Sequence, residues 1–145
     1  MAVTATPVFP QTPYVVSASL LTTTAFTSRA PQSDGAANMV ALTPVSTNGL
    51  RIDYLKVVHA STSITSASVA KLVGFWISNG TTATLTDEIT VTAVTPSTTV
   101  AGFNQLYVFQ TPLYLPAAFK TWLTTSVTPT ASTDAFTVTA YGAAL

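Results

Sequence analysis

The chain has 145 residues, with five basic and five acidic side chains, one histidine and no cysteine. Charged residues make up 7% of it, whereas a typical soluble domain carries about 25%. The zero net charge argues against an electrostatic nucleic-acid binder, and the missing cysteine excludes disulfides and zinc–thiolate sites. The hydrophobic fraction of 48% argues against disorder, and the length suits one domain with a real core.

Threonine and serine replace most of the usual charged residues, with 29 Thr and 13 Ser in the chain. Threonine is β-branched and favours strands over helices. A surface so poor in charge promotes association, so we expect a protein that works packed against partners. No run approaches the roughly 18 apolar residues of a membrane span. The first residues, MAVTATPVFP, place no positive charge before an apolar stretch, so we expect no secretory signal.

The first 13 residues contain Pro7, Pro10 and Pro13, with Phe9 between them. Prolines at this spacing keep a segment extended and remove backbone donors. The segment is either a disordered tail or an arm that lies across a neighbouring molecule, with Phe9 as its anchor. We therefore divide the chain into an extended N-terminal arm, residues 1–13, and a single domain, residues 14–145.

Short strand-like runs separated by turn signals occupy the rest of the chain. The first alternates Tyr14, Val16, Ala18 and Leu20 against smaller or more polar residues, and a loop over 29–38 follows it. Further strands are predicted over 39–42, 50–59, 69–78, 81–94, 103–110, 119–127 and 135–141. The prolines at 112 and 116 suit a sheet edge or a crossing between sheets. No segment has a helical apolar period. The pattern predicts an all-β fold, a β-sandwich of jelly-roll type.

The dipeptide Asn79-Gly80 between two of these runs is a strong hairpin signal. A two-residue type I′ loop at this position would pair Trp76 with Ala83 and Lys71 with Glu88. The face that carries Trp76 would then be the core face.

The other face of this hairpin carries Val73, Phe75 and Ile77, where a solvated sheet would have polar side chains. Exposed apolar patches mark interaction surfaces. We therefore expect Phe75 and Ile77 to lie in a subunit contact or under the arm. The alternative is a second buried layer within the domain.

Catalytic chemistry has little support in the sequence. His59 follows Asp53 by six residues on one predicted strand, with Ser61 beyond it, but at extended geometry Asp53 and His59 lie roughly 20 Å apart. The adjacent carboxylates Asp87 and Glu88 would point to opposite faces of a strand. No spacing suits a metal or a phosphate loop. We expect no enzyme, no cofactor and no metal.

Five segments together resemble a family of small tailed-bacteriophage virion proteins. The likeness covers about residues 50–142 and rests on an Asn-Gly turn, a Glu-Ile pair, a Thr-Pro-Ser loop, a Leu-Pro turn and a final Phe-x-Val strand. The segments are RIDYLKVV (51–58), LVGFWISNGTTATLTDEITV (72–91), VTPSTTVAGF (94–103), LPAAFKTWLTTSV (115–127) and ASTDAFTVTAYG (131–142).

This resemblance implies a capsid decoration or cement protein, made in the host cytoplasm and bound to the exterior of the phage head. The expected partners are the major capsid protein and further copies of the chain, as a dimer or a trimer, without nucleic acid or membrane. The resemblance implies no catalytic residues. Predicted contact residues are Phe9, Val73, Phe75, Ile77 and Trp122.

Other functions stay open at this point. A tail, fibre or spike module that recognises a host receptor would also be all-β and threonine-rich, and would bind glycan through Trp76 or Trp122. An adhesin-like or pilin-like subunit and a hydrolase that uses His59 are the remaining alternatives.

Overall fold

The computed structural model describes residues 12–21 and 23–145, and within these ranges it contains nine β-strands and no helix. The strands are β1 (Thr12–Leu20), β2 (Gln32–Ser33), β3 (Val40–Thr43), β4 (Leu50–His59), β5 (Lys71–Ser78), β6 (Thr82–Val91), β7 (Asn104–Leu115), β8 (Lys120–Thr125) and β9 (Phe136–Ala144). The all-β prediction is confirmed. Phe9 and the rest of residues 1–11 lie outside the described residues, and Thr12 and Pro13 of the predicted arm belong to β1.

The strands form two antiparallel sheets with the connectivity of a jelly roll. One sheet has the order β1-β9-β4-β7 and the other β2-β6-β5-β8-β3. Without the two-residue β2, the pairs are β1 with β9, β3 with β8, β4 with β7, and β5 with β6. This nested pairing is a long hairpin folded over on itself, and its eight strands make the two packed sheets of a jelly roll.

The core lies between the two sheets and is built from alternate side chains of each strand. From the four-stranded sheet it takes Leu20, Ile52, Leu55 and Phe136, all fully buried. The alternation predicted for β1 is confirmed, because Ala18 and Leu20 are buried while Val15, Ser17 and Ser19 are exposed.

The β5–β6 hairpin has a different turn from the predicted one. Gly80 takes a positive φ of 91°, and Asn79 does not. The Asn79 side-chain oxygen instead accepts hydrogen bonds from the backbone N–H groups of Thr81 and Thr82, at 3.0 and 2.9 Å. The central residues are therefore Gly80 and Thr81, the glycine-first pattern of a type II′ turn. The predicted pairing of Trp76 with Ala83 is wrong, because Ala83 lies opposite Ser78.

A β-bulge at Thr86 changes which residues of β6 face the core. Leu85 lies opposite Trp76, but Asp87 lies opposite Phe75, so Thr86 is the extra residue. Because side chains alternate along a strand, the bulge moves the odd-numbered residues that follow it to the other face. Ile89 thereby joins Phe75 between the sheets.

The bulge also changes the partner of Lys71. The predicted Lys71–Glu88 pair is wrong, since Lys71 lies opposite Val91 on β6. Its ammonium group instead forms an ion pair with Asp134, in the segment just before β9. Glu88 pairs with Arg29 at 3.0 Å.

Candidate interaction surface

The outward side chains of the four-stranded sheet form rows across all four strands. The strand register places Val15 beside Tyr141, Tyr141 beside Tyr54, and Tyr54 beside Val108. The valines at the two ends of this row are 62% and 61% exposed. We call this surface the open face and define it by six outward side chains: Val15, Tyr141, Tyr54, Val108, Lys56 and Leu106.

Two stacked tyrosines form the centre of the open face. The rings of Tyr54 and Tyr141 have centroids 4.7 Å apart and planes 18° from parallel. They meet because a bulge at Asp53 brings Tyr54 to the outer side while Ile52 stays in the core. Asp53 itself accepts a hydrogen bond from Arg51 at 3.0 Å. The result is a compact aromatic centre with a paired arginine and aspartate beside it.

The outer face of the five-stranded sheet is covered by a segment of the chain itself. Residues 23–39 cross it, with Phe26 and Met39 packed on Trp76. The Phe26 and Trp76 rings meet edge to face with centroids 6.1 Å apart, and the Trp76 indole N–H donates to Thr124 at 2.8 Å. Of the two sheets, only the four-stranded one therefore presents a broad outer surface.

The predicted apolar stripe on β5 is not a surface. Val73 and Phe75 are fully buried between the sheets, and Ile77 is partly buried against the same core. The prediction of an exposed contact is wrong for Val73 and Phe75, because β5 has an apolar layer on each of its faces and the covering segment takes the Trp76 side. A contact role for Ile77 stays a prediction. The alternative of a second buried layer within the domain is what the structure has.

Trp122 is partly buried and helps to hold the covering segment. Its indole N–H donates to Asp34 at 2.8 Å, and the Lys120 ammonium lies 5.1 Å from the centre of its ring. Asp34 also accepts from Ser78 at 2.6 Å and pairs with Lys120 at 2.5 Å. Burial opposes ionisation of Asp34, but these hydrogen bonds outweigh it and lower its pKa. A contact role for Trp122 stays a prediction, as does one for Phe9.

Nearly all the charges of the chain are used inside the domain. Four of the five cations form ion pairs with four of the five acids, in the pairs Arg29–Glu88, Arg51–Asp53, Lys71–Asp134 and Lys120–Asp34. Within the described ranges, Lys56 on the open face is the cation outside these pairs. Lys56 is therefore the charge that the open face carries.

A groove of about 370 Å³ opens between the bulge of β6 and the middle of β7. At one end the Tyr107 hydroxyl donates to the Asp87 carboxylate. This hydrogen bond, together with burial, raises the pKa of Tyr107 to about 12. Because the carboxylate is already held by the phenol and by the Glu88 backbone N–H at 2.8 Å, the groove contains no free acid or base at this position.

The residue types of a hydrolytic triad have separate partners in this fold. The Nε2 atom of His59 lies 3.1 Å from the Thr133 carbonyl oxygen, to which it can donate. Asp53 pairs with Arg51, and the Ser61 hydroxyl donates to the Ser63 carbonyl at 2.5 Å. Across residues 12–21 and 23–145, no three His, Asp or Glu side chains are grouped as metal ligands would be.

The open face could not be recognised from the sequence, although part of its signal is present there. The alternation in β1 marks Val15 as outward, but its outward neighbours Ser17 and Ser19 make that strand appear ordinarily polar. Tyr54 and Tyr141 become neighbours only through the register of β4 and β9. That register depends on pairing between distant strands, which local sequence patterns do not contain.

In the part of the chain that the structure describes, no helix is long and apolar enough to cross a membrane. Comparison of the chain with protein-family models, with curated proteins and with solved structures gives no match.

Proposed function

We propose that this chain is a structural protein of a tailed-bacteriophage virion, a decoration or cement protein that binds the exterior of the head through the open face. The observation that carries the proposal is the contrast between the two sheets. One outer face is covered by residues 23–39, while the other presents Val15, Tyr54, Tyr141 and Val108 without such a cover, with Lys56 as the charged residue among its six members. Apolar patches without internal cover are typical of protein–protein contacts.

The architecture is compatible with this role. Jelly rolls occur in viral capsid domains, in lectins and in cupins, so the fold alone is an analogy. The residue-level support is the aromatic centre of the open face, since tyrosines are enriched at interface cores and charged residues are depleted there. The proposed partner on the particle is the major capsid protein.

The mechanism of a cement protein is mass action. A protein that binds the assembled shell but not its dissociated parts stabilises the shell by about 2.7 kcal/mol per site when its free concentration is 100 times Kd. Many equal sites on one particle multiply this effect. A neutral adhesive surface serves this purpose without any catalytic pocket.

The copy number of the chain in purified virions tests the location. Quantitative mass spectrometry against the major capsid protein should give a ratio of the same order as that protein. A few copies per particle would instead move the chain to the tail or its fibres. Trp76 gives that second function no support, because it is fully buried.

A matched pair of variants tests the surface itself. Val15→Glu places a carboxylate on the open face, and Ile64→Glu places one at an equally accessible position in the connection before β5, where Ile64 is 70% exposed. We expect Val15→Glu to reduce binding to chain-depleted particles at least tenfold, because the carboxylate would be desolvated on docking. Ile64→Glu should bind like the unmodified protein. Equal binding by both variants would exclude the open face as the docking surface.

A further inference from the structure

The edge of the four-stranded sheet at β7 is long and unpaired. β7 has 12 residues, of which 104–108 and 113–115 pair with β4, and no strand is bonded to its other side. At the opposite edge of the sandwich, β1 contacts β3, so the two sheets close there. The edges of the other sheet, β2 and β3, have two and four residues. With 12 residues, β7 is the longest of the four edge strands in the described fold, ahead of β1 with nine.

The hydrogen-bond alternation identifies which backbone groups of β7 are free. The His59 N–H donates to the Phe103 carbonyl at 2.9 Å, and the register then pairs Val57 with Gln105 and Leu55 with Tyr107. In an antiparallel pair, every second residue directs its N–H and C=O towards the partner strand. Gln105 and Tyr107 therefore face β4. The N–H and C=O groups of the alternate residues, Asn104, Leu106 and Val108, point away from it.

This edge lacks the usual protection against pairing. Natural edge strands carry charged side chains, prolines, covering segments or bulges that prevent association. β7 has no charged residue, and both its single proline, Pro112, and its register irregularity between Val108 and Leu113 lie beyond the segment 104–108. The outward side chains of Leu106 and Val108 are 54% and 61% exposed. An uncharged, partly apolar edge of this kind is suited to addition of another strand.

We infer that the occupant of this edge is β7 of a second copy of the chain, antiparallel to the first, with a two-fold axis at Leu106. This register places Leu106 opposite its own symmetry mate and Asn104 opposite Val108. The three residues whose backbone groups point away from β4, Asn104, Leu106 and Val108, then all pair between the copies. This pairing gives about six N–H···O bonds. The contact is isologous, so it closes as a dimer.

The charge distribution favours a second copy over an unrelated peptide. The edge has no charge with which to select a partner of opposite sign, and two identical neutral strands meet without like-charge repulsion. The pairing also joins the two open faces into one surface across eight strands. Lys56 lies beside Leu106 on β4. In the dimer, the two copies of Leu106 lie between Lys56 of one copy and Lys56 of the other.

Sedimentation velocity over a concentration series of the full chain tests this inference, and it does so independently of the virion proposal because no particle is needed. The unmodified protein should be a dimer. Leu106→Glu should weaken the dimer at least tenfold, since two carboxylates would face each other across the axis. Within one copy the introduced carboxylate can pair with Lys56, so the fold should persist, as circular dichroism will verify.

Two further variants separate edge pairing from other contacts. Val15→Glu changes a side chain of nearly the same exposure as Val108 at the opposite edge of the same sheet, and should leave the dimer intact. Leu106→Pro removes a backbone N–H that points away from β4. It should weaken the dimer and leave the hydrogen bonds between β4 and β7 in place. The inference is overturned if the unmodified protein stays monomeric, or if Val15→Glu weakens the dimer as much as Leu106→Glu.

Discussion

The ion pair between Lys71 and Asp134 offers the sharpest test of how this fold is held together. The two side chains are 0% and 6% exposed, and the Asp134 carboxylate also accepts the Val69 backbone N–H at 2.8 Å. The pair therefore fastens the start of β5 to the segment that leads into β9. The Lys71 ammonium lies 5.1 Å from the centre of the Phe136 ring, which closes its apolar surroundings.

Removal of one partner should be costly because it leaves the other charge buried. We expect Lys71→Met to reduce the free energy of unfolding by about 3–5 kcal/mol. At a urea slope of about 2 kcal/mol per molar, this loss corresponds to a midpoint lower by about 2 M. Arg29→Ala is the matched control, because it breaks a pair whose side chains are 63% and 26% exposed. Arg29→Ala should reduce the free energy of unfolding by about 0–1 kcal/mol.

A double variant distinguishes an unpaired charge from simple loss of packing. In Lys71→Met with Asp134→Asn, both charges are gone and the amide oxygen can still accept the Val69 N–H. Urea unfolding followed by tryptophan fluorescence should show the double variant to be more stable than Lys71→Met alone. The reasoning is refuted if Lys71→Met costs no more than Arg29→Ala, or if the double variant is the least stable of the set.

Three further outcomes follow from the buried groups of the sandwich. Phe75→Ala should lower the free energy of unfolding by about 3–5 kcal/mol, because it opens a cavity between the sheets. Val127→Ala, at an exposed position, should change that free energy by about 0.5 kcal/mol or less. Equal losses in urea unfolding would contradict the assignment of Phe75 to the core. The pKa of Asp34 is lowered in the folded state, so its stabilisation is complete above its ordinary pKa and is lost as the pH falls through the folded value. Asp34→Asn should therefore flatten the acid limb of the stability profile, and an unchanged limb would contradict this role. The pKa of Tyr107 is raised to about 12 in the folded state. Its contribution to the stability of the fold is therefore complete below its ordinary pKa of about 10 and is lost as the pH rises towards 12. The Tyr107→Phe variant should not show this loss when unfolding is measured at alkaline pH.

Local chemistry was sufficient to predict most strands. The run 50–59 was placed correctly at both ends, because its apolar side chains alternate and turn residues precede it. The two-residue β2 within the predicted loop could not be foreseen, since it exists only by pairing with Thr82 and Ala83 of β6. Pro112 lies inside β7, the edge strand of its sheet, although the predicted strand ended at 110. Pro116 lies in the connection that crosses from β7 to β8 in the other sheet, so the predicted edge and the predicted crossing each apply to one proline.

Pairing between distant strands determines which face each β6 residue takes, and local sequence patterns could not predict this. Nothing in the sequence marks Thr86 as a bulge, yet that one residue moves Asp87 and Ile89 to the face of Phe75. An assignment of faces made from the turn alone was therefore unreliable beyond Leu85. The same limit applies to the open face, whose members come from four strands and share a surface only after the sheet has formed.

The use of charge inside the domain has a consequence for how the molecule associates. Eight of the ten charged side chains are paired within one copy, and β7 itself contains no charged residue. The proposed pairing at the β7 edge therefore uses no ion pairs between copies. Raising the ionic strength from about 0.1 M to about 1 M shortens the Debye length from about 10 Å to about 3 Å, which weakens contacts between exposed charges. We expect the dimer dissociation constant, measured by sedimentation, to stay constant or to decrease over this range. A tenfold increase would mean that charges hold the copies together and would contradict pairing through the neutral edge.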